Sequence, residues 1–192
     1  MKHPPPTPLD LPNLLPDVLP IPQDDGLRPL AQIAYTETYS EAMSYLRALM
    51  SANELSPRTL KVTEYIIKIN PAHYTCWGFR LRALFSVAKK AEEEGNEGGE
   101  LAVLLGEMEY LNKVAVLNEK NYQIWHHRQM VMDRMGELVK EKERMQGNEG
   151  EVREMIRKEH DFTAKMFDLD SKNYHVWSYR LVFPRLNWLM YA

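Results

Sequence analysis

The sequence has little of what disulfide-bonded, nucleic-acid-binding and membrane proteins require. It contains one cysteine, Cys76, among 192 residues, which excludes an intramolecular disulfide and suits a reducing compartment. Its net charge of −3 provides no basic field for nucleic acid. No apolar run approaches the roughly 18 residues of a membrane-spanning helix, and prolines follow Lys2 and His3 where a signal peptide would be apolar. We therefore expect a soluble, cytoplasmic protein that binds no nucleic acid.

Signatures of catalytic and metal sites are also missing. There is no nucleophile elbow, phosphate loop or dinucleotide fingerprint. Cys76 lies inside a helical segment, which favours a packed side chain over a reactive thiol. His126 and His127 are adjacent on a helix and therefore point in different directions. The acidic stretch 92–99 lacks the alternating ligands of a calcium loop and is typical of a solvated loop. We expect no metal or other cofactor bound by this chain.

What the sequence does contain is a repeat. The pattern Tyr-x-x-Trp-x-x-Arg occurs at 72–80 (AHYTCWGFR), 120–128 (KNYQIWHHR) and 172–180 (KNYHVWSYR). Spacings of three place these side chains along one face of a helix. Each copy follows an apolar helical run and a short polar break, so each unit is helix, turn, helix. Stacked units of this kind predict an all-α fold, a tetratricopeptide-like α-α superhelix (solenoid) of antiparallel helical hairpins.

Local signals place the helices. Thr36 or Thr38 opens the first, and Ser56-Pro57 is a strong start for the second. The helix of the first motif copy is expected to end near Lys90. The stretches 92–99 and 147–150 are polar, glycine-rich breaks that we interpret as surface insertions, and the charged segment 135–146 extends the preceding helix into solvent. Together these signals predict about seven helices and no strand.

The chain divides by composition at residue 30. Residues 1–30 hold nine of the twelve prolines, which predicts a disordered or polyproline-like tail. The alternative is an arm that docks on a partner through its aliphatic residues, and the sequence does not choose between them. Residues 31–192 form the predicted helical-hairpin repeat domain.

The end of the chain is expected to interrupt the repeat. Pro184 predicts that the third motif helix stops near Val182 or Phe183. Residues 186–191 then form an apolar terminus, whereas a complete solenoid ends in a polar cap. This pattern predicts a C-terminally truncated chain that is poorly soluble and inactive alone.

The second and third motif copies begin with an arrangement suited to anions. Lys-Asn-Tyr at 120–122 and Lys-Asn-Tyr-His at 172–175 lie at helix N-termini, where free amides and the helix dipole favour negative charge. Stacked hairpins would set these starts side by side, so that Lys120, His175 and two tyrosine hydroxyls could hold a phosphate or diphosphate. In the competing interpretation Asn caps the helix, Tyr and Trp pack between hairpins, and Arg bridges carbonyls or carboxylates. This packing role is favoured for Asn, Trp and Arg, and both interpretations stay open for Lys120 and His175.

The repeated Asn-Tyr-x-x-Trp-x-x-Arg resembles the signature of protein prenyltransferase α subunits, most specifically at 120–128. The segment 21–82 is also similar to the start of the α subunit shared by protein farnesyltransferase and type I geranylgeranyltransferase, through 21–26, 33–35 and 45–48. The first copy departs from the pattern with His73 in place of Asn.

The resemblance implies a function. The α subunit would form a crescent of hairpins around a β subunit that holds zinc and most of the isoprenoid pocket. The heterodimer would transfer a farnesyl or geranylgeranyl group from its diphosphate to the cysteine of a C-terminal CaaX motif, with zinc and magnesium in the complex. Lys120 corresponds to the lysine that faces the diphosphate, so Lys120, Tyr122 and His175 are the implied catalytic residues. Substrate binding would add Asn121 and Asn173, and no residue would bind metal.

Two other functions remain. The α subunit of the Rab-specific geranylgeranyltransferase shares the repeat, although the match at 21–48 favours the first assignment. A non-catalytic tetratricopeptide-like scaffold would need neither Lys120 nor His175 at the hairpin starts. The isoprenoid used cannot be predicted, because in this family the β subunit selects it.

Overall fold

Helices make up all the regular secondary structure that the computed structural model describes, at residues 7–27, 31, 33–146 and 150–182. No helix in these ranges is long and apolar enough to cross a bilayer. In chain order the elements are α1 (Leu11–Leu14), α2 (Glu37–Ser51), α3 (Pro57–Ile69), α4 (Tyr74–Glu93), α5 (Gly99–Leu117), α6 (Tyr122–Gln146), α7 (Glu151–Leu169) and α8 (Tyr174–Val182). Seven of them match the predicted set, and α1 is additional.

The chain forms two compact units, residues 1–90 and 91–192. In the first unit α2 packs on α3. The predicted starts are confirmed: the Thr36 hydroxyl accepts the Tyr39 N–H, and the Ser56 hydroxyl accepts the Thr59 N–H with proline following. The apolar side chains that α2 and α3 bury completely are Ala42, Leu46, Leu49, Val62, Ile66 and Ile67.

The proline-rich segment differs from the expected disordered tail, because residues 10–21 are folded into the first unit. Asp10 caps α1, and Pro12 occupies the first turn, where a missing N–H costs nothing. Leu11 and Leu15 are each only 1% exposed. Leucines four positions apart share one side of this helical turn, so the segment buries apolar surface within its own chain.

Polar contacts fasten the rest of this segment. The Ile21 N–H donates to the Ser44 carbonyl over 3.0 Å, and Arg47 Nε donates to the Ile21 carbonyl over 2.8 Å. Asp17 forms a two-pronged ion pair with Arg58, which lowers the pKa of Asp17 to about 2. Hydrogen bonds and an ion pair therefore hold this segment on the first unit together with the buried leucines.

Helix α4 is anchored on α3 by buried groups. Arg80 Nη1 donates to the Leu60 carbonyl over 2.7 Å and contacts the Thr63 hydroxyl. Cys76 is fully buried beside the Thr63 carbonyl, and burial raises the pKa of its thiol to about 12. The expectation that Cys76 is a packed residue is confirmed.

In the second unit α5 packs on α6, and α6, α7 and α8 contact one another. Helix α6 runs to Gln146 as predicted. The expectation that its last part lies in solvent is wrong for Met135 and Val139, which are 3% and 4% exposed. Helix α8 ends at Val182; Pro184 and the apolar residues 186–191 lie outside the described residues.

A carboxylate from the preceding helix caps the helix that follows each glycine-rich break. Glu92 Oε2 accepts the Glu100 N–H at the start of α5, and Glu143 Oε1 accepts the Gly150 and Val152 N–H groups at the start of α7. Gly99 has a φ of +50°, and a Cβ there would meet the Glu92 carboxylate, so the turn requires glycine. The carboxylates therefore cap helices, and the described residues include no cluster of three groups that could hold a metal.

Candidate functional site

The three motif tryptophans repeat one hydrogen bond. Nε1 of Trp77, Trp125 and Trp177 donates to the carbonyl six residues earlier, at Pro71, Glu119 and Ser171, over 2.8 to 2.9 Å. Each tryptophan thus ties its helix to the turn that precedes it. The packing role predicted for the motif tryptophans is confirmed at Trp77 and Trp125, which are 2% and 3% exposed, but not at Trp177, which is 48% exposed.

The motif arginine of the second copy is the centre of a buried polar cluster. Arg128 makes two hydrogen bonds to the Glu159 carboxylate, of 2.5 and 2.7 Å, and lies 4.0 Å from the centroid of the Phe162 ring. The Tyr179 hydroxyl donates to the same carboxylate over 2.7 Å. Burial, followed by the neighbouring Glu159 charge, raises the pKa of Tyr179 well above its ordinary value. This cluster joins α6, α7 and α8, as expected for an arginine that bridges carboxylates.

The motif tyrosines contradict the packing expectation. Tyr74, Tyr122 and Tyr174 are 72%, 60% and 75% exposed. They are the first residues of α4, α6 and α8. Most of each side chain is therefore accessible to a ligand or to a partner surface.

The motif asparagines act as caps. Asn121 Oδ1 accepts the Gln123 N–H over 2.9 Å. Asn173 Oδ1 accepts the His175 N–H over 3.0 Å, while its Nδ2 donates to the Glu119 carbonyl over 2.9 Å. In the first copy His73 Nδ1 accepts the Cys76 N–H, so the histidine that departs from the pattern performs the same capping task.

The predicted site residues come together in the second unit. The starts of α6 and α8 are joined by the bond from Asn173 to Glu119, and Tyr122 contacts His175 edge-on with ring centroids 6.4 Å apart. Lys120 Nζ lies 3.2 Å from Asp170 Oδ2. We call the group Lys120, Asn121, Tyr122, Asn173 and His175 the rim.

The rim brings together groups that attract anions. It combines the Lys120 ammonium and an imidazole with the N-terminal amides of two helices, which attract negative charge. Tyr122 adds a hydroxyl, and its ring also stacks on His126 at 6.0 Å between centroids. Asp170 is the one carboxylate that touches this set among the described contacts; the Lys172 N–H, and after it Lys120, hold the pKa of Asp170 below its ordinary value.

Two acidic partners could not be predicted from the motif pattern. One is Asp170, which contacts Lys120. The other is Glu107, whose Oε1 lies 2.9 Å from His127 Nε2 with both side chains buried. The expectation that His126 and His127 diverge is confirmed, since one stacks on Tyr122 and the other is buried against α5.

Two stretches of the chain match a known repeat family. Residues 104–135 and 156–183, which include the second and third motif copies, match the protein prenyltransferase alpha subunit repeat. Over 113 residues the chain is 42% identical to the protein farnesyltransferase/geranylgeranyltransferase type-1 subunit alpha of Schizosaccharomyces pombe, covering 59% of this chain and 34% of that protein. It is 27% identical over 143 residues to the human geranylgeranyl transferase type-2 subunit alpha, covering 74% and 22%.

A solved structure extends the similarity to the fold. The chain superimposes on Candida albicans protein geranylgeranyltransferase-I complexed with GGPP with a TM-score of 0.66 and 30% identity, over 88% of this chain and 49% of that one. The predicted family resemblance and the predicted all-α hairpin fold are confirmed. The chain spans about a third or less of the length of the curated relatives named above.

Proposed function

We propose that this chain, which carries the protein prenyltransferase alpha subunit repeat, acts as the α subunit of a heterodimeric CaaX protein prenyltransferase. The proposed reaction moves a farnesyl or geranylgeranyl group from its diphosphate to the cysteine of a CaaX-ended protein. The Schizosaccharomyces pombe relative supports this assignment, because it is named as the farnesyltransferase/geranylgeranyltransferase type-1 subunit alpha. The cytoplasm is the proposed location.

The observation that carries the proposal is the rim. Lys120, Tyr122 and His175 come from two different hairpins, yet they are held together by the bond from Asn173 to the Glu119 carbonyl and by the Tyr122–His175 ring contact. Packing does not require this set, since Lys120 is 70% exposed and Tyr122 is 60% exposed. Exposed cationic and hydroxyl groups beside two helix N-termini suit a diphosphate.

Each rim residue has a proposed role in transfer. As the bond between the isoprenoid carbon and the bridging oxygen breaks, and the bond to the acceptor sulfur forms, negative charge grows on the departing diphosphate. The Lys120 ammonium is proposed to stabilise that charge, and Tyr122 and His175 to hydrogen-bond the diphosphate oxygens. Asn121 and Asn173 are proposed to act by fixing the two helix starts, because their amide oxygens accept backbone N–H groups.

The proposal assigns the metals to the complex. Zinc favours a thiolate nucleophile when it is bound. The described residues of this chain include no group of three candidate ligands, so they do not fit a zinc site, and we propose that the β subunit supplies it. Magnesium is proposed to accompany the diphosphate.

The decisive experiment replaces Lys120. We expect Lys120→Ala, co-expressed with a CaaX-type β subunit, to lower the single-turnover transfer rate about 100- to 1000-fold, as for other oxyanion contacts. Diphosphate affinity should fall much less, because the interaction strengthens in the transition state. Lys165→Ala removes an exposed lysine on α7 and serves as the matched control. An unchanged rate constant in Lys120→Ala would show that Lys120 is only a surface residue.

The 27% identity to the human type-2 α subunit supports one alternative, a Rab-specific geranylgeranyltransferase α subunit. Co-expression with each class of β subunit, followed by assays with both diphosphates, separates the two. Transfer with the type-2 partner and none with a CaaX-type partner would favour the alternative. Absence of transfer with every partner would favour a non-catalytic scaffold.

A further inference from the structure

One turn position is occupied by asparagine in two hairpins and by aspartate in the third. The residue that follows the first helix of each hairpin is Asn70, Asn118 or Asp170. In the first copy Asn70 Oδ1 accepts the N–H of residue 72, and in the third Asp170 Oδ1 accepts the N–H of residue 172. A neutral amide oxygen therefore satisfies this turn. The negative charge of Asp170 is not needed for it.

The charge of Asp170 is directed at Lys120. Oδ1 is occupied by the turn, and Oδ2 lies 3.2 Å from Lys120 Nζ on the neighbouring hairpin. The Asp170 backbone is itself fixed, because its N–H donates to the Met166 carbonyl and its carbonyl accepts the Asn173 N–H. Its side chain is 25% exposed, whereas that of Lys120 is 70% exposed. The carboxylate is thus the rigid member of the pair and the ammonium the flexible one.

We propose that Asp170 is a positioning residue that holds the Lys120 ammonium at the rim, beside Tyr122 and His175. This inference rests on the proposed function. A four-carbon side chain loses considerable rotamer freedom when it is fixed on a ligand, and a partner already in place removes part of that cost. The negative charge of Asp170 also repels the diphosphate. Asp170 is therefore expected to position Lys120 for the charge that grows in the transition state, while its own charge weakens binding of the diphosphate in the ground state.

Asp170→Asn tests this directly, because Asn70 shows that the turn accepts asparagine. In the complex with a CaaX-type β subunit we expect the single-turnover rate to fall about two- to fivefold, as suits one exposed ion pair. Diphosphate affinity should stay the same or increase, because a like charge has been removed. In a Lys120→Ala background the same substitution should lower the rate no further, because its effect passes through Lys120.

Other outcomes would overturn the inference. An unchanged rate in Asp170→Asn would refute the positioning role, and an equal loss in the Lys120→Ala background would show that Asp170 acts elsewhere. Equal losses of rate and affinity, with lower thermal stability, would indicate a purely structural residue. Asp168→Asn, at an exposed position near the end of α7, is the matched control and should leave transfer unchanged.

A second measurement separates this inference from the proposed function. Carboxyl 13C NMR on the chain alone follows the titration of Asp170, and Lys120→Ala should raise the pKa of Asp170 toward its ordinary value. If no β subunit yields transfer but this shift occurs, the proposed function fails and the ion pair stands. If transfer occurs and Lys120→Ala leaves the titration unchanged, Asp170 does not hold Lys120.

Discussion

Replacing Glu159 by glutamine should destabilise the second unit strongly. Glu159 and Arg128 side chains are 4% and 1% exposed and make two hydrogen bonds, and Tyr179 donates to the same carboxylate. The substitution keeps the size of the side chain but leaves the guanidinium buried without an anion. Removing one partner of a buried ion pair typically lowers the free energy of unfolding by about 3 to 5 kcal/mol. We expect about 3 kcal/mol here, because the glutamine oxygen still accepts one hydrogen bond.

Urea unfolding followed by circular dichroism measures this loss. The double variant Arg128→Met with Glu159→Leu removes both charges, and its free energy of unfolding should lie closer to that of the wild type than Glu159→Gln does. Recovery should be incomplete, since Asn112 and Tyr179 also lose hydrogen bonds to the pair. The control, Glu154→Gln, breaks an exposed pair with Arg157 and should have no measurable effect. A loss under about 1 kcal/mol for Glu159→Gln would show that this ion pair behaves like an exposed one and contributes little to stability.

Two further predictions concern the first unit. Because Arg58 lowers the pKa of Asp17 to about 2 from an ordinary 3.8, their contact stabilises residues 10–21 above that ordinary value and is lost as the pH falls toward 2. The Ile21 amide NMR signal should shift over this range, and in Asp17→Asn it should already be shifted at neutral pH; a signal that ignores both changes would contradict the anchor. Cys76 is fully buried, with its pKa raised to about 12, so a disulfide reagent at pH 8 should modify it only after denaturant is added. Rapid labelling of the folded chain would show that the packing is wrong.

Features with local causes could be predicted from the sequence. Thr36 and Ser56 begin helices because their hydroxyls accept an N–H three residues later, a contact that depends only on nearby residues. The polar break before each motif copy likewise predicts that a helix starts near Tyr74, Tyr122 and Tyr174. Repetition of the pattern then predicted stacking, and with it the approach of Tyr122 to His175.

Features that depend on distant residues could not be predicted. The sequence gives no sign that Glu107 lies against His127, 20 positions away. It also gives no sign that Asp170 contacts Lys120 of the neighbouring hairpin. The N-terminal segment differs from the predicted disordered tail for a related reason. Its prolines argue against long helices, but a single turn and two buried leucines need no long helix. Composition describes the segment alone, whereas the first unit supplies the surface that orders it.

One backbone atom couples the fold to the rim. The Glu119 carbonyl accepts Trp125 Nε1 from its own hairpin and Asn173 Nδ2 from the next. The motif Trp and Asn therefore fix the turn that carries Lys120 as well as the start of α8 that carries His175. Packing accounts for these two motif residues without any ligand, whereas it does not account for an exposed lysine held by a turn carboxylate. A scaffold built on the same repeat could keep Trp125 and Asn173 and change only Lys120, Asp170 and His175. Under the proposed function, those three positions are where catalytic and non-catalytic members of such a fold should differ.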